Sequence, residues 1–501
     1  MPVDTSAATN VVGDGTAGSC DEGALQAAVA VGGAIVFDCG GPIRIQITHQ
    51  LDMKLGVDTT IDGGGQVTID GSGMTRIFNY DSANFRASTN VLSFQHITLA
   101  NGKSSGTALA PESPPCSQGT DIDGGGAAIW VRDAIVHVVD VTFDSNTGPS
   151  VGPDVAGGGL YVLGCLDAVV VGSTFQHNRM ANGGAIGSLN SDLTVVNDAF
   201  DDNRAQGTDA NSIDTTSCHS TSGEVGDGGN GGAISIDGGS DGTVTVCGCS
   251  FTNNQGHAFG GAMFRTPDGA MQATNIDQTT FDGNTTDGAD QIGGGGALYF
   301  HNSALTITRS TLSNNTAPGA GALQADGTNL VLENDTFANN HATKGLGGAI
   351  SIFSNGGSID GCTFVGNATD GADGPGFAYF GAAIAGNQTF TVDNSIFAND
   401  TTMDCGAPMA CQINGSGQGD VQFPATHTVC NGADPPCGGA SGTTFADPGL
   451  AALANNGGPT KTAAPSATGP AAGAGQNCLP IDQRGNPRAA SGCTAGAYEL
   501  P

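Results

Sequence analysis

Long apolar runs are missing from this chain of 501 residues. No stretch approaches the roughly 18–20 apolar residues that a membrane-spanning helix needs. Basic residues are scarce too, with 14 Lys and Arg against 47 Asp and Glu, for a net charge of −33. Nucleic acid is thereby excluded as a partner, because phosphate binding needs clustered cations. A polyanionic sugar is disfavoured unless a divalent cation bridges the two acidic surfaces. The 14 cysteines include no CxxC pair, so zinc ribbons and thioredoxin-like motifs are not indicated. The 83 glycines show no three-residue period, which rules out collagen. The opening MPVDTSAATN lacks a basic-then-apolar leader, and a mature secreted chain is the expectation.

Cysteine in quantity without metal spacing points to disulfides and an oxidising, extracellular or cell-surface compartment. Proximity in sequence suggests Cys20 with Cys39, Cys405 with Cys411, Cys430 with Cys437 and Cys478 with Cys493. A monomer is expected.

The most informative feature is a sentence that repeats. An apolar residue followed three positions later by asparagine recurs as Phe143/Asn146, Phe175/Asn178, Phe200/Asn203, Phe251/Asn254, Phe281/Asn284, Leu312/Asn315, Phe337/Asn340 and Phe364/Asn367. Leu99 opens the series and Phe397 closes it. Each unit continues into a glycine pair and a short apolar strand, as in GGAISI (231–236) and GGGALYF (294–300). An alternating strand precedes each Phe, as in LTITRSTL (305–312). Short period-2 strands recurring about every 25 residues predict a β-solenoid, whose stacked coils share one core. The fold expected is all-β: a right-handed parallel β-helix of about ten or more coils with a short N-terminal capping helix. Stacking turns the Phe positions into an internal column and the Asn positions into a buried amide ladder, both specifying shape. Residues 1–58 are expected to form a cap and first strands, with CDEGALQAAVA (20–30) as the helix. Residues 59–400 would form the coils, and 401–501 a cysteine-containing C-terminal cap.

The opening CDEGALQAAVAVGGAIVFDCGG, the TIDGGGQVTIDGSG stretch and the GGAI…FxxN units resemble bacterial right-handed parallel β-helix proteins of the pectin-lyase-like group. Their repeats are similar to those of chlamydial polymorphic outer membrane proteins. The closing DPGLAALANNGGPTKTAAP (447–465) and DQRGNPRAASGCTAGAYEL (482–500) resemble the choice-of-anchor Q region of secreted bacterial proteins. The resemblance implies the fold and a surface or secreted setting, and transfers no catalytic residue.

Outward-facing side chains of a solenoid form columns, so a site should appear as functional residue types at one register. The position after the first apolar residue of each glycine-led strand reads Trp130, Tyr161, Gly187, Ser235, Phe264, Tyr299, Gln324, Ser351. Its rings are candidate stacking platforms for polysaccharide, unless neighbouring inserts cover them as ordinary packing. Two residues on, Asp237, His301 and Asp326 are candidate acid–base groups for glycosidic cleavage. The bland alternative is a row of solvated polar side chains. His341 with Lys344, alongside Arg179 and Arg204, would suit a lyase that must take a proton and neutralise a uronate; the arginines could equally offset local acids. Asp287 with Asp290 and Asp370 with Asp373, in the related inserts NTTDGADQIG and NATDGADGPG, are the candidates for Ca²⁺, or else acidic turns. Two functions stay open: a polysaccharide-engaging β-helix, with or without cleavage as a lyase or hydrolase, and a non-catalytic adhesin or spacer.

Overall fold

In a computed structural model, the chain is a right-handed parallel β-helix whose regular secondary structure is almost all strand. The structure describes residues 2–106, 124–152, 155–207, 228–238, 242–267, 271–287, 294–353, 355–370, 381–403, 407–426 and 432–501. It divides into two units, residues 1–245 with 254–258, and residues 246–253 with 259–501.

The first unit begins with the expected helix, Glu22–Val31. Asp21 caps it, its side chain accepting from the Ala24 amide, and Leu25, Ala28 and Val29 turn inward. Asn10 Nδ2 donates to the Ala28 and Gly32 carbonyls at 2.9 and 3.0 Å, so the helix end is not left with orphan acceptors. The Cys20–Cys39 disulfide ties the helix start to the strand Gly33–Phe37. The following coils stack their strands in three main sets, and a fourth set of two-residue strands, such as Arg179–Met180 on Arg204–Ala205, forms a separate sheet. Ile129–Arg132, Leu160–Leu163 and Ile186–Leu189 pair in parallel, residue over residue. So do Ile135–Asp144, Asp167–Val171 and Leu193–Val196. The third set stacks Phe143, Phe175 and Phe200 over one another, with ring centroids 4.4 and 4.9 Å apart. That spacing is the coil rise, about 4.8 Å. Leu99 pairs with Phe143 but does not open the column, because buried Ile69 pairs with Leu99 and Ile45 with Ile69 on the preceding coils.

The second unit repeats the plan. Phe251 stacks on Phe281 at 4.8 Å, and Phe337, Phe364 and Phe397 stack at 4.8 and 4.9 Å. Leu312 holds its place in the register between Phe281 and Phe337. The asparagine ladder is equally regular. Asn315 Nδ2 donates to Asn340 Oδ1 and to the Phe281 carbonyl, while Asn315 Oδ1 accepts from Asn284. The residue before each rung turns the chain in the left-handed region, as Asn339 (φ +55°) and Gly366 (φ +67°) do. Asn and Gly tolerate that conformation best. The second glycine of each pair answers a different need. A Cβ on Gly321 would lie 2.0 Å from the Gly348 carbonyl, and one on Gly296 would lie 2.1 Å from the Gly321 carbonyl. Successive coils approach too closely there for any side chain.

The coils run on past residue 400 through Cys411–Ser416, Asp420–Phe423 and Thr443–Phe445. The chain then reverses and lies along the third-strand face of its own unit. Buried Gln483 donates to Thr311 Oγ1 at 2.9 Å and accepts from Thr336 Oγ1 at 2.6 Å. The Ala497 amide donates to Thr363 Oγ1, and Arg488 donates to Asn334. The DQRGNPR motif is thus a clasp: Asp482 holds Arg484 and the amides of Asn486 and Glu499.

Two disulfide expectations fail. Cys411 bonds to Cys437, neither to Cys405 nor by way of a Cys430–Cys437 pair. The solenoid brings residues 26 apart into contact because one coil is about that long, so nearness in sequence is the wrong guide. Cys478–Cys493 forms as expected.

Candidate functional site

The two outward columns fall in the register expected. Tyr161 lies between Trp130 and Gly187, and Tyr299 lies between Phe264 and Gln324. Their exposure is not as expected. Trp130 is 0% exposed, Tyr161 2% and Phe264 4%. Trp130 and Tyr161 pack with Ala156, Leu163 and Leu189, and Arg76 sits 5.9 Å above the indole. These three rings present no free face for a sugar, because neighbouring side chains lie against them, Phe259 and Tyr299 in the case of Phe264. Tyr299 differs: it is half-buried, stacked on Phe259 at 4.4 Å and on Phe264 at 5.5 Å.

His301 and Asp326 are direct register partners on adjacent coils. Tyr299 donates its hydroxyl to Asp326 Oδ2 at 3.1 Å, and Gln324 Nε2 donates to the same oxygen at 3.0 Å. Asp326 Oδ1 and Gln324 Oε1 are enclosed without a partner. Burial pushes the Asp326 carboxyl above its usual range, against the pull of its two donors and His301. Burial and the adjacent carboxyl push the Tyr299 phenol up as well, so it remains a donor. His301 Nδ1 lies 3.2 Å from Thr266 Oγ1. A ring, a phenol, a carboxyl and an imidazole therefore meet on one outward face of the second unit.

Asp237 belongs to the first unit. There it lines a cavity of about 10 Å³, the size of one water, with Tyr161, Asn182, Ser188, Leu189 and Ser235. Such a space admits no sugar. A larger recess of about 380 Å³ in that unit is lined by Phe37, Asp38, Gln66 and the glycines around them; nothing in the sequence signalled it.

The basic candidates are largely committed. Arg179 and Arg204 are register partners that share Asp202, at 3.5 and 2.9 Å. They offset a local acid, which is what their spacing beside it allowed. His341 Nε2 sits 2.9 Å from Asp370 Oδ1, so a metal candidate and a base candidate partner each other. Lys344 is exposed and its amide bonds the Pro318 carbonyl. Asp290 and Asp373 lie outside the described residues, and Asp287 is exposed. Among the described residues no three His, Cys, Asp or Glu side chains converge to hold a metal.

Sequence reasoning missed a second ladder. The small polar residue two before each position of the core column (Phe, Leu312 or Gln422) accepts the matching amide of the preceding coil. Ser310 N donates to Asp335 Oδ1 at 2.8 Å, Cys362 N to Ser395 Oγ at 3.1 Å, and Ser395 N to Asp420 Oδ1 at 2.8 Å. The signal was there, as STF, DTF, CTF and SIF. Three of its rungs are buried acids: burial raises Asp198 to about 7, Asp420 to about 8, and Asp335 well above the carboxylate range.

A family model described as the right-handed beta helix region matches residues 266–419, within the second unit. No curated protein matches the chain.

Proposed function

We propose that this chain is a secreted or surface-displayed β-helix that engages polysaccharide at the Tyr299–His301–Asp326 group of its second unit. The hydrogen bond from Tyr299 to Asp326 across adjacent coils carries the reading, because it joins an apolar ring to a polar group, both of them partly buried. Rings beside carboxyl and hydroxyl groups are how proteins bind the apolar and polar faces of sugars. The disulfides and the closing segment's resemblance to the choice-of-anchor Q region support an extracellular setting.

The group is a binding site rather than a two-carboxylate cleavage centre. Glycoside hydrolysis of that kind needs a second carboxyl about 5–10 Å away. The neighbour that pulls the Asp326 carboxyl back toward its usual range, beside its two hydrogen-bond donors, is the imidazole of His301. The experiment is a panel of polysaccharides assayed for retention, for reducing-sugar release and for the ultraviolet absorbance of unsaturated uronates, with Ca²⁺ and with EDTA. Retention without turnover is the expected result. Turnover that Asp326→Asn abolishes would replace binding with catalysis. No retention on any polymer would favour the adhesin or spacer reading, for which the self-clasped face of the second unit already speaks.

A further inference from the structure

We infer that the first unit carries a separate binding site, the recess of about 380 Å³ beside Phe37 and Asp38, and that it takes a neutral sugar unit. The inference stands apart from the Tyr299 group. The recess has its cause in the register. Val36 lies over Asp62 and Ile43 over Val67, but between those pairs one coil uses residues 37–42 and the next residues 63–66. The two coils after them turn the same corner on the single residues His96 and Asp140, both in the left-handed region at φ +49° and +52°. The longer corners stand away from the strand ladder, and the recess opens between them. Its volume falls within the roughly 300–1,000 Å³ of small-molecule sites.

The side chains that line it are accessible and uncommitted. Phe37 is partly exposed, and Asp38 and Gln66 are exposed. Among the described residues the Asp38 carboxylate and the Gln66 amide have no hydrogen-bond partner, and the backbone amides of Gly40 and Gly41 have no acceptor. The backbone that presents them is fixed. The Asp38 amide donates to the Val12 carbonyl at 2.9 Å, its own carbonyl accepts from Gly15 at 2.8 Å, and Cys39 is bonded to Cys20. A site held in place before binding loses less on ordering. The recess thus offers a ring, a carboxylate acceptor, a side-chain amide that both donates and accepts, and backbone donors. A sugar hydroxyl donates and accepts at once, and its C–H face rests on a ring. A cation would use the acceptors alone. Asp38 is the one charged side chain lining the recess, so an acidic sugar would meet a like charge there.

The test titrates the full chain by calorimetry with cellotriose, maltotriose and mannotriose, with trigalacturonate as an acidic probe and choline as a cationic one. At least one neutral trisaccharide should bind, and more tightly than either charged probe. Asp38→Ala should weaken that binding about ten-fold, the effect of losing hydrogen bonds to a charged group. Gln66→Ala and Phe37→Leu should each weaken it several-fold, with thermal unfolding confirming that every variant is folded. Binding of no neutral saccharide would overturn the inference. Tightest binding of trigalacturonate would overturn it too, and tightest binding of choline would assign the ring and carboxylate to a cation instead. Neutral binding unchanged in all three folded variants would remove the recess as the site and leave the Tyr299 group as the place of contact.

Discussion

Asn367 donates both its backbone amide and its side-chain Nδ2 to Asp400 Oδ1, at 2.9 Å each, so a carboxyl group ends a ladder otherwise made of amides. In every earlier rung of the second unit Nδ2 also donates to the carbonyl of the preceding coil's core residue, as Asn367 does to Phe337. Asp400 Oδ2 occupies the equivalent place, is enclosed, and has no partner. Burial, with Asp434 nearby, raises this carboxyl to about 8. A protonated acid supplies the missing donor there.

The first prediction follows. In the unfolded chain Asp400 ionises near 3.8, while in the folded chain it holds its proton to about 8. The folded state therefore binds the extra proton between those values, and stability falls as pH rises from about 4 to 8. At 1.36 kcal/mol per pH unit the loss from this group approaches roughly 5 kcal/mol. Asp400→Asn completes the ladder, so its melting temperature should exceed that of the parent at pH 8 and match it near pH 4. A parent whose melting temperature rises steadily from pH 4 to 8, with the variant following in parallel, would refute this.

Asn315→Ala should be costly. Its side chain is fully buried and serves Asn284, Asn340 and the Phe281 carbonyl at once. Leaving such groups unpaired costs about 1–3 kcal/mol for each. Chemical denaturation should register a loss of about 2–4 kcal/mol, and a change below 0.5 kcal/mol would contradict a buried ladder.

Trp130 gives an optical check on burial, since it is the only tryptophan. Its emission should be blue-shifted and resist acrylamide quenching in the folded chain. Trp130→Ala should cost about 3–5 kcal/mol while leaving neutral-glycan retention intact. Ready quenching would mean that the ring is exposed after all.

Gln483→Ala should release the clasp. Hydrogen exchange is expected to quicken across residues 456–500, where Gln483 also holds Thr460 and Lys461. Exchange in the ladder strands Thr336–Ala338 and Thr363–Val365 should change little, because each is paired on both sides by other coils. Uniform loss of protection would show instead that the clasp is needed for the whole unit to fold.

The fold was legible because a solenoid converts sequence period into spatial neighbourhood. Phe175 and Phe200 stack because they occupy the same position in consecutive repeats, and the same logic gave the Tyr299 and Asp326 columns their register. Exposure was not legible. Trp130 and Tyr299 occupy one register position, yet one is sealed and the other partly exposed, since Arg76, Ala156 and Leu163 lie against the indole. The disulfide at Cys411 went wrong for a related reason: distance along the chain misleads when one coil separates spatial neighbours.

The amino-acid sequence alone determined the repeat, the columns, the helix at the N-terminal end and the residue types facing inward, because local periodicity and turn chemistry act over a single coil. Tertiary structure decided which outward residues reach solvent, which acids lose their charge and where the closing segment docks. Those outcomes depend on what lies across a surface, and no local pattern encodes the opposite side.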